Sequence, residues 1–178
     1  RAALPFTLTA SQEGALAEVV ADMGDTSRML RLVQGDVGSG KTVVALLAML
    51  NAVEAGHQAA LMAPTDILAR QHMATIEPLA AAAGISVVLL TGRDKGKARQ
   101  TALEGLASGA TVLAVGTHAL FQDDVAFHDL ALAVVDEQHR FGVHQRLVLA
   151  AKGRAVDVLV MTATPIPRTL MLTAYGDM

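Results

Sequence analysis

Apolar residues fall along this chain in two rhythms. Met29-Leu30-Arg31-Leu32-Val33, Ala59 to Ala63, Ser86 to Leu90, Thr111 to Val115, Leu130 to Val135 and Asp157 to Met161 are short, nearly unbroken apolar runs. Such runs predict strands covered on both faces. Between them the apolar positions recur at helical spacing: from Thr9 to Met23, Val43 to Ala55, Thr65 or Asp66 to about Ile76, Gly96 to Ser108, around Gln145 to Ala151, and Pro167 to Ala174. Thr9 followed by Gln12 has the spacing of a capping box. Gly56 stands where a helix stops, and Pro78 is expected to break or kink the helix before it. Regular strand–helix alternation predicts an α/β fold, a mostly parallel sheet with helices on both faces.

Composition narrows the class without changing that fold. The 178 residues suit one domain, and 52% hydrophobic residues suffice for a core. Aromatics make up 3%, so the core must be built from aliphatic side chains and methionine. The absence of cysteine excludes disulfides and thiolate metal sites, and fits a reducing compartment without requiring one. No uncharged apolar stretch reaches the ~18 residues that a spanning helix needs. The net charge of −3 argues against a globally basic nucleic-acid binder. One local basic cluster stands out, Arg93, Lys95, Lys97 and Arg99 around Gly92 and Gly96; a DNA-backbone loop and a solvated helix face are both open readings. The chain opens on Arg1 and ends on Gly176-Asp177-Met178, which reads as a fragment of a larger protein.

The chemistry concentrates in two places. Gly35-Asp36-Val37-Gly38-Ser39-Gly40-Lys41-Thr42 matches the phosphate-loop pattern G-x-x-x-x-G-K-[ST], and it lies after a predicted strand and before a predicted helix, as that motif requires. Gly38 and Gly40 let backbone N–H groups converge on phosphates. The helix start aims its positive end there. Lys41 can neutralise the outer phosphates, and Thr42 offers a hydroxyl to Mg2+. The second place is Asp136-Glu137, at the carboxyl end of an apolar strand, where ligands gather in open parallel sheets. Asp136 is assigned to Mg2+ and Glu137 to activating water. Together the two segments predict binding and hydrolysis of a nucleoside triphosphate.

At Asp136-Glu137-Gln138-His139 the chain resembles motif II of the superfamily 2 helicases. Other blocks agree in order and spacing. Phe6-Thr7-Leu8-Thr9 with Gln12 resembles the adenine-reading segment. Ala63-Pro64-Thr65 with Leu68-Ala69 and Gln71-His72 resembles motif Ia, with Asp66 where Glu is usual. Gly116-Thr117-His118-Ala119-Leu120-Phe121 resembles a later DNA-contact motif, and Thr162-Ala163-Thr164-Pro165 resembles motif III, continuing through Arg168 to Leu170. With Arg140-Phe141-Gly142, the set is similar to the fork-remodelling branch of that superfamily. The nearest rival is the transcription-repair coupling translocases, which typically carry Glu where Gln138 stands. A non-helicase ATPase and a nucleotide-gated binding module without turnover are the alternatives outside the superfamily.

The resemblance implies that residues 1–178 form the first of two RecA-like motor domains, with a wedge domain before Arg1 and a second motor domain after Met178. It implies ATP and Mg2+ as cofactors, branched DNA as partner, no membrane, and a cytoplasmic setting. Gln12 would pair with adenine, an amide-to-base match known from DNA recognition; its competing role is helix capping, and one side-chain geometry cannot serve both. Pro64, Thr65, Thr117 and His118 would meet DNA, with Thr65 also a plain helix cap and His118 a plain loop residue in the blander reading. Gln138, His139, Thr162 and Thr164 would couple nucleotide to DNA. Arg168 is open between DNA and the second motor domain.

Overall fold

The central strands of this fold are apolar on two sides because they are covered on two sides. The computed structural model describes residues 7–136 and 156–163. In chain order the elements are α1 (Ala10–Met23), β1 (Leu30–Gln34), α2 (Lys41–Glu54), β2 (Gln58–Met62), α3 (Asp66–Ala82), β3 (Val87–Leu90), α4 (Gly96–Ser108), β4 (Leu113–Gly116), a 3-10 turn at His118–Phe121, β5 (Leu130–Asp136) and β6 (Asp157–Thr162). The six strands make one sheet in the order β1-β6-β5-β2-β4-β3, and every pairing is parallel. The expected α/β architecture is therefore present. The helices expected around 145–151 and 167–174 lie outside the described residues.

The period-two geometry of a strand sends alternate side chains to opposite faces. In β2, Ala59 and Leu61 join one core cluster with Leu113, Val115, Leu132, Val134, Leu159 and Met161. Helices α1, α2 and α3 cover that face through Leu16, Val19, Leu46, Met49, Ile76 and Ala80. Ala60 turns to the other face with Ala114, Ala133, Val135 and Val160, where Ala102 and Leu106 of α4 and Leu120 of the 3-10 turn close the layer. Full burial of each large aliphatic side chain contributes about 1.5–3 kcal/mol. No helix among the described residues is long and apolar enough to cross a membrane.

Two departures from local rules have tertiary causes. Helix α3 does not end near Ile76; it runs through Pro78 to Ala82. Proline removes one backbone donor, but Ile76 and Ala80 on either side are fully buried and Leu79-Ala80-Ala81-Ala82 are strong helix formers. The second departure is Gln58, a polar residue that opens β2 yet is only 3% exposed. Its Nε2 donates to the carbonyls of Leu106 (2.9 Å) and Thr111 (2.7 Å), and its Oε1 accepts from the Asp129 N–H (2.9 Å). One carboxamide thereby joins the end of α4 to the entrances of β4 and β5.

Candidate nucleotide site

Because all pairings are parallel, the carboxyl ends of all six strands share one edge. The register aligns them: Gln34 beside Thr162, Met161 beside Asp136, Val135 beside Met62, and Met62 beside Gly116. The phosphate loop, Asp136, the Ala63-Pro64-Thr65 turn, Thr117-His118 and Thr162 thus leave the sheet along a single line. With neighbouring strands ~4.8 Å apart, Gln34 and Asp136 are separated only by β6.

The loop has the shape its glycines allow. Gly38 and Gly40 take φ of +83° and +82°, a region that disfavours any residue with a Cβ. Gly40 is the N-cap of α2 and supplies no side-chain cap bond. The first N–H groups of that helix therefore lack the side-chain oxygen that often covers them. Val37 at the tip is 91% exposed. Lys41 folds over the loop, its Nζ donating to the carbonyls of Gly35 (2.5 Å) and Asp36 (2.8 Å). Ser39 N–H closes a turn onto the Asp36 carbonyl at 3.1 Å. The Gly35 N–H donates to the Thr162 carbonyl at 3.2 Å, so the loop is anchored to the end of β6.

Gln12 has a capping role and a second one. Its Oε1 accepts from the Thr9 N–H (2.9 Å) and Thr9 Oγ1 accepts from the Gln12 N–H (3.3 Å), completing the capping box. Its Nε2 donates to the Ser39 carbonyl at 2.9 Å. Both ends of the carboxamide bind protein, one in the cap and one in the phosphate loop.

Asp136 ends β5 with its side chain 15% exposed, and its Oδ2 lies 2.6 Å from His72 Nε2 on α3. With the carboxylate ionised, the ring N–H is the donor. Asp136 and Thr42 supply hard oxygen donors, the kind Mg2+ takes. Among the described residues no group of three or more His, Cys, Asp or Glu could hold a metal. That donor set fits an ion that arrives with phosphate oxygens, rather than one resident in a protein cage.

The remaining candidates divide by exposure. Thr65 is exposed and caps α3, its Oγ1 accepting from the Leu68 N–H at 3.3 Å, and Pro64 is half-buried beside it. Thr117 is buried and caps the 3-10 turn, whereas His118 is exposed. In the basic cluster, Arg99 lies 2.8 Å from Asp124 and Arg93 lies 3.6 Å from Asp66. Asp66 also binds Arg70 at 3.0 Å, and that guanidinium holds its carboxyl below the usual range. Glu137, Gln138, His139, Thr164 and Arg168 lie outside the described residues. A cavity of about 590 Å³ bordered by Asn51, His57, Asp129 and Asp157 lies at the amino ends of the strands. It lies at the opposite ends of the strands from the phosphate loop.

Three contacts escape a reading of the sequence: Gln12 with Ser39, His72 with Asp136, and Gly35 with Thr162. Gln71-His72 does fall within a block that resembles a helicase motif, but nothing in the chain's order pairs His72 with a residue 64 positions later.

Comparison with known proteins agrees with this fold. The family model for DEAD/DEAH box helicases matches residues 9–173. The chain is 56% identical over 181 residues to the ATP-dependent DNA helicase RecG of Pasteurella multocida, covering 99% of this chain and 26% of that protein. It is 54% identical over 178 residues to RecG of Streptococcus pneumoniae, covering 100% of this chain and 26% of that protein. The chain thus spans about a quarter of the length of these relatives. Among solved structures, RecG bound to a three-way DNA junction superposes with a TM-score of 0.85 at 48% identity, over 99% of this chain and 24% of that one. The DUF1998 helicase MrfA gives a TM-score of 0.69 at 20% identity, over 98% of this chain and 30% of that one, which shows the shared fold alone.

Proposed function

The chain belongs to the DEAD/DEAH box helicase family, and from that premise we propose that it is the first ATP-binding motor domain of a cytoplasmic helicase that remodels branched DNA. The observation that carries the nucleotide part is the alignment along one sheet edge: the loop with left-handed Gly38 and Gly40, then Thr162, then Asp136. The DNA part is supported by the relatives, one of them described as bound to a three-way DNA junction.

In this reading Lys41 exchanges the Gly35 and Asp36 carbonyls for phosphate oxygens. The N–H groups at the start of α2 face the same phosphates. Thr42 and Asp136 hold Mg2+, which offsets charge on the transferring phosphoryl group when bound. Glu137 orients the attacking water. Gln12 trades its Thr9 and Ser39 partners for adenine. Thr65 and His118 present polar groups to DNA phosphates, while Thr117 shapes the turn that carries His118. Gln138, His139, Thr162 and Thr164 relay nucleotide state to that surface.

Superfamily 2 sites are completed by arginines from a second motor domain, and such an arginine is worth about 10³–10⁵ in rate. These 178 residues alone should bind ATP weakly, hydrolyse it very slowly and unwind nothing; brisk fork unwinding by them would refute that division of labour. The direct test of the site is Lys41→Ala. It should abolish binding of fluorescent ATP while the melting curve stays nearly unchanged, and unaltered ATP affinity would remove the loop from the mechanism.

A further inference from the structure

Helix α3 joins two parts of the proposed machine. Its N-cap is Thr65, exposed at the carboxyl edge of the sheet. Two turns in, His72 shares a stripe with buried Ala69 and Ile76, since residues three and four apart in a helix line one face. The side chain is 12% exposed and reaches the 15% exposed Asp136 at 2.6 Å. Strands β2 and β5 are paired neighbours, with Met62 beside Val135, so the helix that follows β2 is brought against the end of β5.

The contact leaves Asp136 a specific freedom. His72 takes Oδ2. A carboxylate at a strand end can otherwise rotate about two side-chain torsions; fixing one oxygen directs the other. Carboxylate ligands to metals are commonly held in this way by a neighbour that does not itself bind the ion. His72 is also rooted in the core through α3, so a displacement of that helix is passed to the carboxylate directly.

We propose that His72 is a positioning residue that fixes the rotamer of Asp136 for Mg2+, and that it transmits movement of α3, begun at the Thr65 end by DNA phosphate, to that carboxylate. The inference rests on the reading of Asp136 as the Mg2+ ligand given above.

The test uses the full-length protein, saturated with ADP and titrated with Mn2+ followed by electron paramagnetic resonance, with and without forked DNA. His72→Leu keeps most of the packing volume and removes the ring N–H. It should weaken Mn2+ binding about 10–100-fold and abolish any gain in Mn2+ affinity on adding forked DNA. His72→Gln places an amide N–H near the position of Nε2 and should restore most of both. Melting curves establish that each variant is folded; if His72→Leu does not fold, His72→Ala and His72→Met replace it in the same comparison. Asp136→Asn separates the two levels of the argument. If Asp136→Asn leaves Mn2+ affinity unchanged, the metal assignment itself fails. If Asp136→Asn weakens it while folded His72→Leu matches wild type, the positioning role is overturned. A weakened affinity that keeps its full DNA-dependent gain overturns the transmission through α3.

Discussion

Gln12 Nε2 donates to the Ser39 carbonyl at 2.9 Å while Gln12 Oε1 closes the Thr9 capping box, so one side chain clips the start of α1 to the phosphate loop. The clip leaves no room beside Gly40. A Cβ there would stand 2.3 Å from Gln12 Nε2, on a backbone with φ of +82°.

Gly40→Ala should therefore act twice. The left-handed backbone costs a non-glycine residue about 1–2 kcal/mol, and the clash displaces Gln12 from Ser39. The expected outcome in urea melts is a loss of about 1–2 kcal/mol, with fluorescent-ATP affinity reduced at least about tenfold, the equivalent of ~1.4 kcal/mol. Adding Gln12→Ala relieves the clash but not the backbone strain, and it also removes the proposed adenine contact, so the double variant should not recover ATP affinity. Normal ATP affinity in Gly40→Ala would show that the loop tolerates a different path.

The residues that set this site were unequally legible in the sequence. The loop and Asp136 are local patterns, and the apolar runs are long enough to reveal a parallel sheet covered on both faces. The order β1-β6-β5-β2-β4-β3 was hidden because pairing is a long-range choice among similar aliphatic strands. The Pro78 rule concerns one lost backbone bond, and burial of Ile76 and Ala80 outweighed it. Gln12 was legible as either cap or ligand; its bond to Ser39, 27 residues away, depends on how α1 lies on α2. His72 and Asp136 meet only because β2 and β5 are neighbours.

Gln58 shows how much one hidden contact contributes to the fold. Replacing it with Leu keeps a similar volume but leaves the Thr111 carbonyl and the Asp129 N–H without their partner, while the Leu106 carbonyl still accepts from the His128 N–H at 3.1 Å. Each buried polar group left unsatisfied costs about 1–3 kcal/mol, and part of this cost is recovered where water reaches the strand entrances. Gln58→Leu should destabilise the chain by about 2–4 kcal/mol, measured by chemical denaturation. A variant as stable as wild type would mean that water replaces the carboxamide fully.

Gly116 has no room for a side chain. A Cβ added there would lie 2.0 Å from the Leu90 carbonyl oxygen and 2.9 Å from Leu120 Cγ. The Leu90 carbonyl is backbone and also accepts from the Thr117 N–H at 3.3 Å, so it cannot swing aside without opening β3 from β4. Gly116→Ala should cost about 3 kcal/mol or more, the upper range for overpacking, and lower Tm by roughly 6–12 °C in a chain of this size. Because Thr117 and His118 follow directly, DNA binding by the full-length protein should weaken in parallel. A calorimetric scan unchanged from wild type would contradict the close approach.

Asp157 gives the fold a pH dependence of a definite sign. Its Oδ1 accepts from the Met29 N–H at 2.7 Å. Burial nevertheless pushes its carboxyl above the ordinary value of 3.8, with the charge of Asp22 adding to the rise and the Met29 bond opposing it. A carboxyl whose folded value is raised favours folding most when protonated. Its contribution is full below the unfolded value of 3.8 and is lost as pH rises through the higher folded value. Asp157→Asn keeps an acceptor for Met29 and removes the charge. It should be more stable than wild type at neutral pH, by less than about 1 kcal/mol because the group is partly solvated, or a Tm gain of about 1–3 °C. The gain should shrink steadily as both proteins are melted at lower pH and be nearly gone near pH 4. A gap that stays constant from pH 8 to pH 4, or one that widens in acid, would show that the carboxylate is not strained by its burial.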